Sequence, residues 1–313
     1  MSKYRNRLPQ LNDAQFITDG GLETTLIYHE GLELPAFAAF DLLKDDSGLG
    51  VLHKYYNRYA DLAHSHGRGL VLESPTWRAN PDWGRKLGYD AVALADANRK
   101  AIGLMLEVRA ASSSAKTPMV ISGNLGPRGD GYSPGLRMNV DQARDYHTAQ
   151  IETFASTDAD MVCALTMNYV EEAIGIARAA KECAMPVALS FTLETNGRLP
   201  AGETLAQAIA RTDRETDGYP AYYMINCAHP THFTDALRDR GAWLDRIRGL
   251  RANASRRSHA ELDQSTELDA GDPEELGAQY RGLSEVLTRL TVLGGCCGTD
   301  HRHVDAICRA LKR

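Results

Sequence analysis

The sequence predicts an α/β protein folded as one (β/α)8 barrel, also called a TIM barrel, over residues 1–313. Short apolar runs alternate with longer helical segments along the chain. The runs show little polar alternation, as expected for strands of a parallel sheet that are buried on both faces. No G-x-G-x-x-G motif follows the first run. A doubly wound open sheet is the competing architecture, and the number of runs and the missing motif favour the barrel.

Each predicted strand is a short run of mostly apolar residues. The eight runs are Phe16–Asp19, Gly69–Ser74, Met119–Asn124, Met161–Thr166, Val187–Leu193, Ala221–Cys227, Ile247–Asn253 and Val292–Cys296. Active sites of such barrels are built at the carboxyl ends of the strands. The residues that close each run are therefore the first candidates for function.

Helical segments separate the predicted strands. Asp90–Ala111 carries apolar residues spaced for one helix face. The same pattern predicts four more helices, over Asp141–Thr157, Val170–Cys183, Glu203–Thr216 and Pro273–Leu290. Asp141 and Asp272 are predicted helix starts, because an acidic side chain there can cap the first turn. His301 and His303 are predicted to begin the last helix.

The longest irregular stretch is Ser255–Gly271, which follows the seventh predicted strand. In a barrel this stretch lies at the C-terminal face, where active sites are found. Two interpretations stay open for it, a lid over the active site and a plain surface loop.

The composition is that of a soluble globular protein. Hydrophobic residues make up 43% and charged residues 24%, with a net charge of -6. No basic patch predicts a nucleic-acid partner, and no apolar run predicts a signal peptide or a membrane span. Six cysteines in such a chain argue against a secreted disulfide framework, so we expect a reducing cytoplasm. The sequence does not fix the oligomeric state and is compatible with a homo-oligomer.

Three cysteines stand at strand ends that meet across the mouth of the predicted barrel. Cys227 closes the sixth strand, and Cys296 and Cys297 follow the eighth. Zinc prefers thiolate ligands, and three protein ligands leave a fourth position open for substrate. Neighbouring glycines are expected to let the backbone turn both sulfurs of the pair toward one ion. These residues therefore predict an open Zn2+ site, with plain core packing as the alternative.

The motifs at the strand ends resemble those of the homocysteine S-methyltransferase family. The matching segments are Asp19-Gly20-Gly21-Leu22-Glu23-Thr24, Thr76-Trp77, Gly123-Asn124-Leu125-Gly126-Pro127, Ser190-Phe191-Thr192, Asn226-Cys227 and Gly294-Gly295-Cys296-Cys297-Gly298-Thr299. The resemblance covers nearly the whole chain. Its most specific part is the last motif in combination with Asn226-Cys227.

The resemblance implies a zinc-dependent thiol S-methyltransferase. The thiol of homocysteine would become the fourth zinc ligand, lose its proton at neutral pH and take a methyl group from a cationic donor, giving methionine. The resemblance also implies that Asp19 and Gly20 hold the amino-acid end of homocysteine and that Thr76 lies near it. We add Glu73 and Asn226 to the predicted substrate-binding residues.

One position departs from the family pattern. The family usually has a glutamate at the end of strand four that binds the substrate ammonium, and Leu165 stands there in this chain. Leucine cannot pair with an ammonium, and an unpaired buried charge costs several kcal/mol. Either another acid replaces the glutamate, with Glu73 and Glu194 as candidates, or the acceptor is a thiol without an α-amino group.

The methyl donor and the reaction class stay open at this level. We expect a small free-standing sulfonium or betaine as donor, and aromatic faces could receive such a cation. The aromatic candidates are Trp77, Trp83, Tyr132 and Tyr222, and His229 is a further candidate for the donor pocket. The alternatives are a zinc enzyme that demethylates or cleaves a sulfonium, and a non-enzymatic protein that binds thiols or zinc.

Overall fold

Parallel strands close into a barrel, which confirms the predicted fold. The computed structural model describes residues 2–238 and 240–312. The strands in these ranges are β1 Phe16–Ile17, β2 Gly69–Glu73, β3 Met119–Leu125, β4 Met161–Met167, β5 Val187–Phe191, β6 Tyr222–Asn226, β7 Ile247–Ala252 and β8 Val292–Gly295. Each strand pairs in parallel with the next, and β8 pairs with β1 to complete the barrel.

Helices connect the strands and cover the outer face of the barrel. They are α1 Leu22–Thr24, α2 Asp46–His66, α3 Pro81–Lys86, α4 Ala91–Ser112, α5 Val140–Ala155, α6 Val170–Glu182, α7 Leu205–Thr216, α8 Pro230–Phe233, α9 His259–Asp263, α10 Pro273–Val286 and α11 His301–Ala310. The five predicted helices are present with ends shifted by a few residues, whereas α2 was not predicted. None of the helices in the described ranges is long and apolar enough to cross a membrane.

Capping side chains account for where the helices begin. Asp272 accepts a hydrogen bond from the Glu274 amide at 2.8 Å, as predicted for the start of α10. The last helix begins at His301, as predicted. The prediction for α5 was wrong, because Asn139 and not Asp141 supplies the cap. Asn139 and Gln142 exchange side-chain and backbone hydrogen bonds in a capping box, so the helix begins one residue before Asp141.

Six strands end one or two residues earlier than predicted, because the chain leaves the sheet at the residues that line the mouth, whereas β3 and β4 each end one residue later. Cys227 has a φ of 53°, in the left-handed region that non-glycine residues rarely adopt, and β6 therefore ends at Asn226. Thr166 has a φ of 64°, and the register of β4 with β5 is irregular around it. Such conformations concentrate at functional sites.

Alternate strand residues pack on opposite faces of the barrel wall. One buried cluster lies between the strands and the helices and includes Ile17, Leu72, Ile121 and Leu250. A second cluster fills the barrel interior, and its members on the strands are Phe16, Val71, Val120, Met161, Cys163, Leu165, Ala188, Tyr222, Met224 and Val292. This alternation places Arg251, which follows Leu250, on the interior side.

Candidate active site

A cavity of about 420 Å³ opens at the carboxyl ends of the strands. Seven of the eight predicted site residues line it, and they are Asp19, Gly20, Glu73, Asn226, Cys227, Cys296 and Cys297. The eighth, Thr76, is not among the lining residues. Its hydroxyl is fully buried and donates to the Asn124 carbonyl at 2.7 Å, so its contact with a substrate stays a prediction.

The sulfur atoms of Cys227, Cys296 and Cys297 all lie within 4.8 Å of one another. Tetrahedral zinc with bonds of about 2.3 Å to thiolates puts two ligand sulfurs about 3.8 Å apart. Small side-chain rotations would bring three sulfurs at these distances onto one ion. The arrangement thus fits the predicted three-thiolate site.

Two of the three cysteines are oxidised in this structure. Cys227 and Cys296 form a disulfide with Cα atoms 5.4 Å apart, and Cys297 is free. A disulfide sulfur carries no thiolate charge, so the pair binds a metal only after reduction. The prediction that both side chains are thiols therefore applies to the reduced protein.

Hydrogen-bond donors surround the three sulfurs. Asn226 Nδ2 lies 3.8 Å from Cys296 Sγ, and Thr166 Oγ1 lies 4.0 Å from Cys227 Sγ. The Tyr132 hydroxyl lies 3.5 Å from Cys297 Sγ. Burial raises the pKa of the Cys297 thiol, so a metal or a donor must offset the loss of water around its thiolate. Donors of this kind orient metal ligands and stabilise their charge.

The side chain of Asn226 fastens three strand ends together. Its Oδ1 accepts from the Thr166 amide at 2.8 Å and from the Ser190 hydroxyl at 2.6 Å. Its Nδ2 donates to Thr166 Oγ1 at 2.8 Å. Asn226 therefore positions the residues around Cys227 and Cys296.

The glycines near the cysteine pair provide space more than freedom of rotation. A Cβ on Gly294 would overlap Thr18, and one on Gly295 would overlap Thr299. Only Gly298, of the glycines from 294 to 298, has a positive φ, at 80°. The prediction that flexible glycines turn the sulfurs was thus incomplete, because the first two allow β8 to approach its neighbours closely.

Three buried charged residues line the cavity, and we call Asp19, Glu73 and Arg251 the charged floor. Arg251 Nη2 lies 2.7 Å from Asp19 Oδ1, and the Tyr55 hydroxyl donates to Asp19 Oδ2 at 3.0 Å. Asp19 is therefore already paired within the protein. Burial alone would lower the pKa of Arg251, but Asp19 and Glu73 raise it, so Arg251 is charged.

Glu73 lies in the charged floor without a firm partner. Its exposed fraction is 3%, and burial raises its pKa to about 7. Ser122 and Cys163 approach the carboxylate, yet no donor among the described residues meets normal hydrogen-bond geometry with either oxygen. A buried carboxylate in this state has unused capacity to bind a cation or a hydrogen-bond donor.

Leu165 lines the cavity, as its place at the end of β4 predicted, and presents an apolar side chain. Of the two acids proposed to replace the missing glutamate, Glu73 lines the cavity and Glu194 does not. Glu194 instead lies beside His259, with Oε1 3.3 Å from Nδ1. The structure thus leaves Glu73 as the better placed of the two.

Glu23 is a further acid in the cavity wall, and no role was predicted for it. Burial raises its pKa to about 7, and Arg78 and Arg251 act on it only from a distance. Within residues 2–238 and 240–312 it forms no ion pair with a basic side chain. Its charge also raises the pKa of the Cys297 thiol, which indicates that the two side chains are near each other.

Residues of the segment Ser255–Gly271 line the cavity, so the segment lies at the mouth of the barrel, and its action as a lid stays a prediction. Leu262, Leu268 and other side chains of the segment line the cavity wall. His259 Nε2 lies 2.7 Å from the Cys227 carbonyl oxygen, and its ring stacks on Tyr132 at 3.9 Å between centroids. These two contacts connect the segment to the cysteines.

The other predicted donor-pocket residues divide into two groups. Trp77 and Tyr132 line the cavity, although the Arg78 guanidinium already covers the Trp77 ring at 4.3 Å. The remaining candidates, Trp83, Tyr222 and His229, are not among the lining residues. Tyr222 belongs to the barrel interior, and His229 caps α8 through its side chain.

Sequence reasoning missed Arg251, Arg78 and Glu23. Arg251 had a detectable signal, because a charged residue near the end of a predicted buried strand must face either the barrel interior or the helices. Glu23 stood inside a matching motif, but nothing in the sequence showed that its side chain turns into the cavity.

Comparisons with known proteins agree with this architecture. The family model described as homocysteine S-methyltransferase matches residues 16–311. Proteins named homocysteine S-methyltransferase 1 from Arabidopsis thaliana and Brassica oleracea var. italica are each 22% identical to the chain, over 95% of it and 93% of their own length.

Solved structures share the fold. The metallated form of the homocysteine methyltransferase MmuM from Escherichia coli has a TM-score of 0.71 at 18% identity, covering 95% of this chain and 96% of that one. Its oxidized form has a TM-score of 0.70 at 19% identity, covering 95% of each chain.

Proposed function

The chain belongs to the homocysteine S-methyltransferase family, and we propose that it is a zinc-dependent enzyme that methylates a small thiol. The observation that carries the zinc proposal is the convergence of three cysteine sulfurs within 4.8 Å at the mouth of the barrel. The metallated form of the Escherichia coli relative supports the same view.

Cys227, Cys296 and Cys297 would hold the metal in the reduced protein, with the fourth position left for the acceptor. Bound zinc supplies a positive charge that lowers the pKa of a coordinated thiol toward neutrality. Because this activation needs reduced cysteines, we propose that the enzyme works in the cytoplasm.

The side chains around the cysteines prepare the site for this chemistry. Asn226, Thr166 and Tyr132 place N–H and O–H groups beside the sulfurs, where they stabilise thiolate charge. Residues of the segment Ser255–Gly271 line the cavity. As a lid, the segment would limit the access of water, which competes for the methyl group and weakens electrostatic interactions.

Homocysteine, giving methionine, is the first candidate acceptor. Its ammonium would pair with Glu73, whose carboxylate is buried and lacks a firm partner. The second candidate is a thiol without an α-amino group. Leu165 favours this candidate, and so does the pairing of Asp19 with Arg251, because both remove acids that could otherwise receive an ammonium.

The donor that fits the cavity is a small cation, a sulfonium or a betaine. Glu23 contributes a carboxylate without an ion-pair partner in the described part of the chain, and the thiolates of the reduced cysteines add negative charge. Opposite charge would draw a cationic donor toward the acceptor thiol.

The test is a panel of thiols and methyl donors assayed under reducing conditions, with zinc quantified in the same samples. We expect about one zinc per chain and methyl transfer to at least one thiol. Cys297→Ser should lose the metal and lower activity by about 1,000-fold or more, because two remaining thiolates hold zinc poorly. Cys183→Ser, a free cysteine at the end of α6, should retain both.

Zinc-free wild-type protein that takes up no zinc would contradict the metal proposal. Zinc binding with consumption of a sulfonium but no methylated thiol would instead indicate a demethylase or a lyase.

A further inference from the structure

The segment that follows β1 is fixed against the turn that carries the cysteine pair. The Gly21 amide donates to the Thr299 carbonyl at 3.0 Å. From the other side, the Gly298 amide donates to Thr24 Oγ1 at 3.2 Å. Glu23 lies between Gly21 and Thr24, so its backbone has a fixed place beside the cysteines.

The carboxylate of Glu23 faces the cavity. Glu23 lines the cavity and is only partly buried. In the described part of the chain, its own amide is the one donor that approaches the carboxylate. The fully buried polar atoms without a partner include both carboxylate oxygens of Glu73 but neither of Glu23, so the Glu23 oxygens keep contact with the solvent of the cavity. A bound ligand can therefore reach this carboxylate directly.

The basic side chains near Glu23 have other partners. Arg251 Nη2 pairs with Asp19 Oδ1 at 2.7 Å. Arg78 donates to the Gly129 carbonyl at 2.9 Å. Both arginines act on Glu23 only from a distance. In the described ranges, the negative charge of Glu23 is thus left for a ligand to neutralise.

The surroundings of Glu23 favour a ligand with a net positive charge. Bound zinc does not cancel the charges of three protein thiolates and an acceptor thiolate, so this side of the cavity is negative before Glu23 is counted. Tyr28, on the same segment, lines the cavity, is 44% exposed and offers an aromatic face to a cation. A carboxylate on the donor would meet Glu23 and the thiolates as like charges, which is unfavourable.

We propose that Glu23 binds the cationic group of the methyl donor, so that the enzyme selects donors with a net positive charge, such as a simple sulfonium, over zwitterionic betaines. The inference rests on the proposed function and narrows the class of donor. In the transfer, the acceptor thiolate attacks the methyl carbon, the bond from that carbon to the donor sulfur breaks, and its electron pair stays on the donor sulfur. The donor leaves as a neutral thioether, which Glu23 no longer attracts.

This loss of charge decides which kinetic parameter depends on Glu23. The sulfonium is fully charged in the bound donor and only partly charged in the transition state, so its attraction to Glu23 is no stronger there. Such an interaction lowers KM without raising kcat. We therefore expect Glu23→Gln to raise KM for a sulfonium by about 10-fold and to change kcat by less than about 3-fold. A residue that only supports the metal site would change zinc content or kcat instead.

The test compares two donors of the same shape on the wild-type protein, with homocysteine as the acceptor. Dimethylsulfoniopropionate is a zwitterion, and its carboxamide carries only the sulfonium charge. The assay runs at about pH 8, because the pKa of Glu23 is about 7 and its carboxylate is then charged. We expect kcat/KM for the carboxamide to exceed that for the zwitterion by at least about 10-fold. Equal values, or a preference for the zwitterion, would overturn the inference.

Variants then assign the preference to Glu23. In Glu23→Gln, the preference for the carboxamide should fall by at least about 5-fold at unchanged zinc content, and Glu23→Asp should keep part of it because it retains the charge. The matched control is Glu30→Gln, because Glu30 belongs to the same segment, pairs with Lys54 and is not among the lining residues. An unchanged preference in Glu23→Gln, or the same loss in Glu30→Gln, would contradict the assignment.

The outcomes also separate this inference from the proposed function. If no donor methylates any thiol, the proposed function fails. Calorimetry then tests Glu23 on its own, because the carboxamide should still bind the zinc-loaded protein more tightly than the zwitterion and lose this advantage in Glu23→Gln. If both donors are used equally well, only this inference fails.

Discussion

The two sides of the cavity differ in how well their polar groups are satisfied. On the cysteine side, Asn226, Thr166 and Tyr132 place donors beside the sulfurs, and Asn226 uses both ends of its amide. In the charged floor, the carboxylate of Glu73 and Nη1 of Arg251 lack hydrogen-bond partners in the described part of the chain.

The difference follows the family pattern. The cysteine side carries the motifs that match the family, and Leu165 lines the cavity at the position where the resemblance leads us to expect a glutamate. The protein thus supports the sulfurs with its own hydrogen-bond donors, whereas the charged floor keeps polar atoms without partners. Unsatisfied buried groups destabilise the free protein and are compensated when a ligand binds.

The largest effect is expected from Glu73→Gln, which removes an unpaired charge from the floor. Burial raises the pKa of Glu73 from its usual 4.5 to about 7. The folded protein thus binds the proton of the Glu73 carboxyl more tightly than the unfolded chain does. The contribution of this proton binding to stability is full below pH 4.5 and is lost as the pH rises through 7. Between about pH 5 and about pH 8, the free energy of unfolding of Glu73→Gln should gain roughly 2.5 kcal/mol over that of the wild type.

Chemical denaturation across this pH range measures the difference. Glu30→Gln is the control. Lys54 lowers the pKa of Glu30, a shift opposite in direction to that of Glu73, so the contribution of Glu30 to the free energy of unfolding is constant above about pH 6. If the difference in the free energy of unfolding between Glu73→Gln and the wild type does not vary with pH, the pKa of Glu73 is not raised in the folded protein.

The next largest effect tests the cysteine side, where the polar groups have hydrogen-bond partners. Asn226→Asp keeps the shape and the acceptor oxygen but replaces the N–H group next to Cys296 Sγ by a negative oxygen. We expect zinc affinity to fall by about 10- to 100-fold, the usual cost of losing a hydrogen-bonding partner of a metal ligand. Competition with a chromogenic chelator measures it. Unchanged affinity would mean that the donors around the sulfurs do not support the metal.

The smallest effect tests the part of the cavity wall formed by Leu165. Leu165→Glu places a carboxylate where the resemblance to the family predicts one, and Leu165→Gln is the uncharged control of the same size. We expect Leu165→Glu to raise the kcat/KM ratio of homocysteine to 4-mercaptobutyrate by about 10-fold over that of Leu165→Gln, because only the first thiol carries an ammonium. Equal ratios in both variants would show that the ammonium does not lie near this wall.

The sequence predicted the barrel because its strands are short apolar runs, and that signal depends only on local residues. The three cysteines were predictable because strand ends of a barrel converge, so their types and places in the chain were sufficient. Helix α2 was missed, although it spans Asp46–His66 and is capped by Asp45.

The charged floor was only partly predictable. Glu73 and Asp19 were named from their positions, but their states depend on Arg251, which is more than 170 residues further along the chain. Whether a carboxylate is free or paired is decided by the side chains that face it across the barrel, and no local pattern reports this. For the same reason, Glu23 belonged to a matching motif although no role could be predicted for its side chain.

Arg251 also has a mechanical place in the barrel. Strand β1 has only two residues, and it pairs with β8 at two positions. The guanidinium of Arg251 extends from β7 to the carbonyl of Gly295 after β8 and to that of Gly20 after β1. It thus fastens the barrel where its sheet is narrowest.

This fastening role limits which changes the barrel tolerates. A mutation of Arg251 is expected to loosen the seam between the first and last strands. The side chains of Leu165 and Glu73 make no contact with that seam through hydrogen bonds or ion pairs in the described structure. We therefore expect substitutions at these two positions to disturb the closure of the barrel less than substitutions of the arginine.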